Sequence, residues 1–233
     1  MIGVWVNCAV VIIGGLLGCL LRGGINEKLQ KTINNGLGLC VVCIGMGGAL
    51  DTQNMLVVII SIAIGAVLGE WMRIEDGLDK LGDWAQRKFA KGDSGFATGF
   101  VNATLLFCVG AMAVVGSLEA GLQNKADTLL AKSALDGVSS IIFASSFGPG
   151  VMFSAIPLTL YQGGIAALSG VLAPFLTDAL INEMSAVGSV LIIAIGLNMM
   201  NLPKERIRVG NLLPAIFIPC IYFPVAALLA NLF

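Results

Sequence analysis

The chain contains no histidine among its 233 residues. Histidine is the usual proton shuttle and a common metal ligand, so its absence removes the side chain on which many acid–base and metal sites depend. Charge is also scarce, because Asp, Glu, Lys and Arg make up 12% of the residues and the net charge is -1. Nucleic-acid binding requires a positive surface that this composition lacks. We therefore expect no nucleic-acid partner.

The cysteines do not form the pattern of a metal or redox site either. All six fall inside apolar runs, and the C-x-x-C formed by Cys40 and Cys43 has no second pair to join it. A zinc or redox site would have further ligands at an exposed turn. No hydrolase nucleophile, phosphate-binding loop or metalloprotease helix is present. We expect structural thiols, no metal, no cofactor other than a coupling ion, no catalytic residue and no enzyme activity.

What the chain has in abundance is apolar sequence. Hydrophobic residues make up 57%, and the mean hydropathy is +0.93, far from a soluble globular domain. About 20 apolar residues cross a bilayer core of roughly 30 Å. The sequence predicts an all-α polytopic membrane protein that forms a single transmembrane domain over residues 1–233. The lipid bilayer is its predicted partner. Eight spans are predicted, at Val4–Leu21, Gly36–Leu50, Asn54–Met72, Phe96–Leu118, Leu129–Phe147, Val151–Leu172, Ala186–Asn201 and Asn211–Leu229.

The connectors and their basic residues predict an orientation. Gly23–Asn34 and Ile74–Ala90 are predicted to be amphipathic helices on the inner surface. With eight crossings, Lys125 and Lys132 alone among the 13 lysines and arginines fall on the other side. The positive-inside rule then places both termini outside the cytoplasm. If Leu129–Phe147 did not cross, the basic residues Lys204, Arg206 and Arg208 would move outside, against the rule.

The spans are also predicted to repeat, in units 4–50, 54–147 and 151–229. Each unit begins with a related small-residue motif: Gly14-Gly15-Leu16-Leu17-Gly18, Gly65-Ala66-Val67-Leu68-Gly69 and Ala166-Ala167-Leu168-Ser169-Gly170. In the predicted orientation the third unit is upside down, and Asp136 matches Asn211. Helices three to five and six to eight would then form an inverted repeat, which is the basis of alternating access in many carriers. The alternative is chance recurrence of common membrane residues.

Asp136 is the acidic residue that lies deepest within a predicted span. A carboxylate there is costly unless it faces protein or water, so a functional role is the first hypothesis. It could hold a proton or a coupling cation such as sodium, with Ser139 and Ser140 one turn further on. The alternative places Asp136 at the outer interface, where it caps the helix or pairs with Lys132.

Other candidates are backbone breaks and amides. Gly148-Pro149-Gly150 is either a broken helix that lines a cavity or a tight inner turn between helices five and six. The amides of Asn102, Asn198 and Asn211 suit solute recognition, although amides also join helices to one another. Small-residue ridges, such as Gly14 with Gly18, favour close helix packing within or between subunits. We expect a homodimer.

Five short runs carry a resemblance over nearly the whole chain. They are Gly14–Gly18, Gly116–Gly121, Ala131–Asp136, Ser185–Gly188 and Asn211–Ala215. As a set they resemble the YdfK/YqgA-like bacterial inner-membrane family, known as domain of unknown function 554. The resemblance implies a polytopic protein of the prokaryotic plasma membrane that is suspected of transport. It implies no substrate and no site residues.

These observations together predict a small-solute or ion transporter that works by alternating access. The solute would be an ion, an amino acid or an organic acid. An ion channel is the second hypothesis, although it calls for a continuous polar stripe that the sequence barely shows. A non-transporting membrane scaffold or sensor is the third.

Overall fold

The computed structural model describes residues 1–22, 27–89 and 95–230, and these residues form helices joined by turns, without a β-strand. The α-helices are α1 (Ile2–Arg22), α2 (Glu27–Leu50), α3 (Met55–Met72), α4 (Ile74–Phe89), α5 (Phe96–Cys108), α6 (Ala111–Leu122), α7 (Asp127–Phe147), α8 (Gly150–Phe153), α9 (Ala155–Ala167), α10 (Ser169–Leu172), α11 (Asp178–Met199) and α12 (Pro219–Ala230). A 3-10 helix at Val209–Phe217 precedes α12. The all-α prediction is confirmed.

Local capping sets several of these bounds. Asn54 precedes α3, and its side chain accepts a hydrogen bond from the Leu56 N–H at 3.1 Å. Thr177 precedes α11 and accepts from the Leu180 N–H in the same way. At its other end α3 stops at Arg73, whose φ of 54° is left-handed. The Asn54 and Thr177 side chains satisfy backbone amides that a helix leaves unpaired at its first turn.

The chain divides into two compact units, each assembled from separate stretches of sequence. Unit 1 consists of Met1–Gly36 and Leu78–Phe175, and unit 2 consists of Leu37–Gly77 and Leu176–Phe233. Helices α2 and α4 each contribute to both units. This division does not follow the three predicted repeat-like units. The single domain and its repeats therefore stay predictions.

Within unit 1, α1 lies against α7 in the same direction. A side chain at Gly14 would meet the carbonyl of Gly137, and one at Gly18 would meet the carbonyl of Ile141. The Ser140 hydroxyl donates to the Val11 carbonyl at 2.7 Å across the same contact. The missing side chains therefore let the two backbones approach closely, as small residues do in membrane helices.

The other helices of unit 1 pack around this pair. Helix α9 runs antiparallel to α1, since Gly163 lies near Val4 and Met152, which precedes α9, lies near Gly15. Helices α5 and α6 follow the direction of α8 and α9: Gly150 approaches the Phe96 carbonyl at one end, and at the other Gly121 approaches the Ala166 carbonyl.

Unit 2 uses glycines in a similar way. Gly65 lies against Ala215, and Gly69 lies against the Asn211 carbonyl, so α3 and the 3-10 helix run antiparallel. Helix α11 runs parallel to α3, because Glu183 near its start accepts from the backbone N–H of Gln53 at 2.8 Å, just before α3 begins. A small apolar core joins the three elements: Val58, Ala186, Val187 and Ala215.

Several helices have the length and composition of membrane spans. Among the described residues five qualify: Ile2–Leu21, Lys31–Leu50, Met55–Met72, Gly150–Ala167 and Asp178–Met199. The bent pair α5 and α6 is a sixth if it is one span. Their outer faces are apolar, as lipid contact requires, and the exposed side chains of α3 show this: Ile59, Ile64, Val67, Leu68 and Trp71. The chain has the architecture of a multi-pass membrane protein.

The structure corrects the continuity of three predicted spans. The sixth, Val151–Leu172, is divided among α8, α9 and α10. The fourth, Phe96–Leu118, is divided into α5 and α6, which bend by 63° at Val109 and Gly110. The eighth, Asn211–Leu229, is divided into the 3-10 helix and α12. Prolines 214, 219 and 224 favour this, since proline removes a backbone donor and obstructs an α-helical turn.

Other bounds also differ. The first predicted connector, Gly23–Asn34, is no separate helix in its described part, because residues 27–34 open α2. The second connector matches α4, except that Ala90 lies outside the described residues. Helix α11 begins eight residues before the predicted Ala186, so Glu183 belongs to a helix rather than to a loop.

Glycine-to-alanine variants test the close contacts. We expect Gly18→Ala and Gly69→Ala each to lower the free energy of unfolding by about 1–3 kcal/mol, because the added methyl group would overlap backbone atoms. Gly47→Ala is the matched control: nothing lies within 4 Å of its added carbon, and alanine favours a helix by up to about 1 kcal/mol. Thermal unfolding in detergent measures all three. Equal effects at Gly47 and Gly69 would contradict the packing described.

Candidate binding site

The candidate site in unit 1 is an ion pair near the middle of α7. The Lys132 ammonium donates to both carboxylate oxygens of Asp136, at 2.6 and 2.8 Å. Their side chains are 7% and 9% exposed, so the pair is buried. Helix α7 has 21 residues and Asp136 is the tenth, which sets it about 14 Å from the start of the helix.

Two neighbouring helices add an amide each. The Asn7 side chain of α1 donates from Nδ2 to an Asp136 oxygen at 3.0 Å and to Gln162 Oε1 of α9 at 3.3 Å. Both amide residues are 0% exposed. Asn7 Oδ1 and Gln162 Nε2 have no hydrogen-bond partner within the described protein. Buried polar atoms are usually paired, so one acceptor and one donor here are available to a ligand.

We call Asn7, Lys132, Asp136 and Gln162 the polar cluster. It joins three helices, α1, α7 and α9, through side chains alone. Lys132 and Asp136 carry opposite charges and the amides carry none, so the polar cluster has no net charge. A neutral arrangement is the form in which charged groups are tolerated inside a membrane protein.

A broken helix lies in the same unit as the polar cluster. Helix α5 ends at Cys108, and α6 begins at Ala111 after a turn in which Gly110 has a φ of 121°. Only glycine adopts this backbone conformation readily. In α6, Gly116 lies against the side chain of Leu129, about one turn before Lys132. Helix α6 therefore packs against the start of α7.

An apolar cleft of about 550 Å³ lies against α1, α8 and α9. Cys8, Ile12 and Leu16 of α1 line one side, and the other side is formed by residues of α8 and α9, including Thr159. Cys8 follows Asn7 in the chain, and Thr159 precedes Gln162 by about one turn. The cleft therefore borders α1 and α9, the helices that carry Asn7 and Gln162.

The structure also gives the positions of the predicted site residues of α7 and of Asn102 in α5. Asp136 pairs with Lys132 as the alternative hypothesis proposed, yet it is buried at mid-helix rather than capping α7. Ser140 is engaged with the Val11 carbonyl, which makes it a link between helices. Ser139 is half-buried, and Asn102 is buried in α5. None of these three contributes a hydrogen bond to the polar cluster within the described residues.

The motif Gly148-Pro149-Gly150 forms a turn. Gly148 has a φ of 79°, and its N–H donates to the Ala144 carbonyl at the end of α7. Pro149 precedes α8. This motif was one candidate for a broken helix. The structure has a helix break at Val109 and Gly110 instead.

The remaining two candidates belong to unit 2. The Asn198 amide exchanges two hydrogen bonds with the backbone of Ile207, at 2.8 and 2.9 Å, and so holds the segment before the 3-10 helix. Asn211 accepts from the Glu75 N–H at 2.8 Å and donates to Glu70. Both amides join backbone segments of unit 2, whereas Asp136 lies in unit 1.

Asn211 is one member of a larger charged network at the end of α3. Arg208 donates to Glu70 at 2.9 Å and also to Asp76. Glu75 is 4% exposed and accepts from the Gly210 N–H. These bonds anchor the 3-10 helix to the corner between α3 and α4.

Two members of the polar cluster were not among the predicted site residues. Asn7 and Gln162 each interrupt an otherwise apolar run, and this is the signal by which they could have been found. A polar amide within a span must find a partner. Which partner it finds depends on which helices meet, and the one-dimensional pattern does not contain that information.

Long apolar helices with a buried, charge-neutral polar cluster define a polytopic α-helical membrane protein. The chain belongs to the family described as Protein of unknown function (DUF554), whose model matches residues 2–224. It is 33% identical over 223 residues to the uncharacterized membrane protein YdfK of Bacillus subtilis (strain 168), and the match covers 94% of each chain. The uncharacterized protein YqgA of Escherichia coli (strain K12) is 29% identical over the same share of both chains. No solved structure matches.

Removing one or both charges tests the ion pair. We expect Lys132→Met to lower the free energy of unfolding by about 3–5 kcal/mol, because it leaves the Asp136 carboxylate buried without a counter-charge. The double variant Lys132→Met/Asp136→Leu should be close to wild type, since both charges are gone. Thermal unfolding in detergent compares them.

Asp127→Asn is the matched control, as Asp127 is exposed in the first turn of the same helix. It should leave the unfolding temperature unchanged. A double variant no more stable than Lys132→Met would show that the two charges do not act as a buried pair.

Proposed function

We propose that this protein is a small-solute or ion transporter of the prokaryotic plasma membrane, with its site at the polar cluster of unit 1. The observation that carries the proposal is the buried Lys132–Asp136 pair, bordered by two amides with unpartnered atoms. A well-packed apolar core would be at least as stable as a buried ion pair. Ionisable residues within membrane helices are, by default, functional.

The broken helix in the same unit supports a transport site. In many carriers the solute binds near the bilayer midplane, where a helix is interrupted and its backbone groups face the site. Here α5 ends and α6 begins in the unit that holds Lys132 and Asp136, and α6 packs against the start of the helix that carries them. Irregular backbone at membrane depth is tolerated where it faces protein or a water-filled cavity.

The number of crossings in the proposal is eight. Eight alternating crossings require odd-numbered helices to be parallel to one another and antiparallel to even-numbered ones. The packing directions inside each unit agree: α1 and α7, the first and fifth, are parallel, and α9, the sixth, is antiparallel to α1. Helix α7 lies outside the five apolar spans because it carries Lys132, Asp136 and five serines, yet it packs along α1, which is one of them.

The remaining features of the mechanism rest on sequence. The inverted repeat of helices three to five and six to eight would give alternating access, and the match of Asp136 with Asn211 is its main support. A proton or a cation such as sodium stays the predicted coupling ion, and no residue of the polar cluster is assigned to it. The homodimer also stays a prediction, because the glycine ridges from which we inferred it pack inside the two units.

Two other functions are the alternatives. An ion channel would conduct without saturation, and a scaffold or sensor would bind no solute. The polar cluster favours a carrier over a channel, since its groups are bonded to one another across three helices.

Ligand stabilisation tests the transport function. We expect at least one solute from a panel of cations, amino acids and organic acids to raise the unfolding temperature of purified protein by about 5–10 °C at 100 times its Kd. The variants Asp136→Asn and Lys132→Met/Asp136→Leu should lose the shift, whereas Asp127→Asn should keep it.

The same solute should then enter proteoliposomes by saturable uptake and exchange. Flux that rises linearly with concentration would indicate a channel instead. An absence of both stabilisation and flux across the panel would favour a scaffold.

Cysteine labelling tests the orientation. In a background without the six native cysteines, Lys125→Cys should react with a membrane-impermeant maleimide from outside the cell. Lys204→Cys should react only after permeabilisation, since three crossings separate the two positions in the proposed topology. Both side chains are exposed and lie between helices, so neither reaction is limited by burial. The reverse pattern would contradict the orientation, and labelling from the same side would contradict the crossing number.

A further inference from the structure

The charge of the polar cluster limits what it can bind. Lys132 and Asp136 neutralise each other at 2.6 Å, and neither is accessible. Adding a solute with a single charge would leave a net charge in a buried site, which is costly. A solute with one positive and one negative group would leave the site neutral.

The unpartnered atoms have the polarity that such a solute requires. Gln162 Nε2 is a donor and suits a carboxylate, whereas Asn7 Oδ1 is an acceptor and suits an ammonium group. Each lies in a residue that is 0% exposed, so leaving either atom unpaired is unfavourable. A solute that satisfies both atoms would remove two such costs at once.

We propose that the transported solute is a zwitterionic α-amino acid, an inference that rests on the transport function proposed above. Its carboxylate pairs with the Lys132 ammonium and accepts from Gln162 Nε2. Its ammonium group pairs with the Asp136 carboxylate and donates to Asn7 Oδ1. One ion pair is replaced by two, and no proton or electron is transferred.

Other solutes fit the polar cluster less well. A metal cation at Asp136 would lie beside the Lys132 ammonium, and the like charges would repel each other. Within the described residues no group of three or more acidic or cysteine side chains is placed to hold a metal. A simple carboxylate would separate Lys132 from Asp136, whose carboxyl would then need a proton to remain buried.

The test compares amino acids with analogues that lack one charge. The twenty common amino acids are screened by thermal shift on the full-length protein in detergent, and the tightest binder is titrated by calorimetry. It is compared with the amine and the carboxylic acid of the same carbon skeleton; for leucine these are 3-methylbutylamine and 4-methylpentanoate. We expect each analogue to bind at least about tenfold more weakly, because it loses one charge-assisted contact.

A variant that keeps the ion pair tests the same contacts. Gln162→Met removes the unpartnered donor while Lys132 and Asp136 remain, and Asn7 keeps its bond to Asp136. Its Kd for the amino acid should rise about tenfold, whereas Asp127→Asn should bind like wild type. Equal affinity of Gln162→Met and wild type would contradict the assigned carboxylate contact.

The outcomes separate the solute class from transport itself. Binding of the amine or the acid as tightly as the amino acid would overturn the zwitterion, and so would an absence of binding by all twenty amino acids. If another solute or ion is then taken up saturably and the uptake is lost in Lys132→Met/Asp136→Leu, transport stands and only the solute class is wrong. If the proteoliposomes show no flux of any kind, both proposals are wrong.

Discussion

The close approach of α1 and α7 is the contact on which the candidate site depends. Gly14 and Gly18 leave no side chain between the two backbones, and Gly137 does the same from the side of α7. Because the helices are so near, the short Asn7 side chain reaches Asp136 at 3.0 Å. A larger residue in this ridge would separate the helices and break that bond.

Charge neutrality is the second constraint, and it connects stability with the proposed function. An apolar interior penalises a lone charge, and Asp136 is buried against Lys132 and Asn7, which compensate its charge. In the proposed function, the same penalty acts on any solute that enters the candidate site. A binding event that preserves zero net charge is cheaper than one that does not, and this condition follows from the burial of the pair rather than from any motif.

Much of the secondary structure could be predicted from the sequence. Apolar runs indicated an all-α membrane protein, and the mixed pattern of Ile74–Ala90 predicted α4 closely. The pattern did not reveal the break at Val109 and Gly110, because hydropathy reports burial in an apolar phase and not whether a helix is continuous. Asp136 and Lys132 were identified as a possible pair, since their spacing brings them to one face of a helix. Their partners on α1 and α9 were not.

The sequence by itself determined that this chain has the composition of a membrane protein, and that a carboxylate and an ammonium lie one turn apart on one helix. Both follow from composition and local spacing, which short-range physics converts directly into helices and helix faces. Only the tertiary structure decided that Asn7 and Gln162 join the polar cluster, while Asn211 belongs to a separate network in unit 2. Contacts between distant segments depend on which backbones can approach each other, and that is known only once the helices have packed.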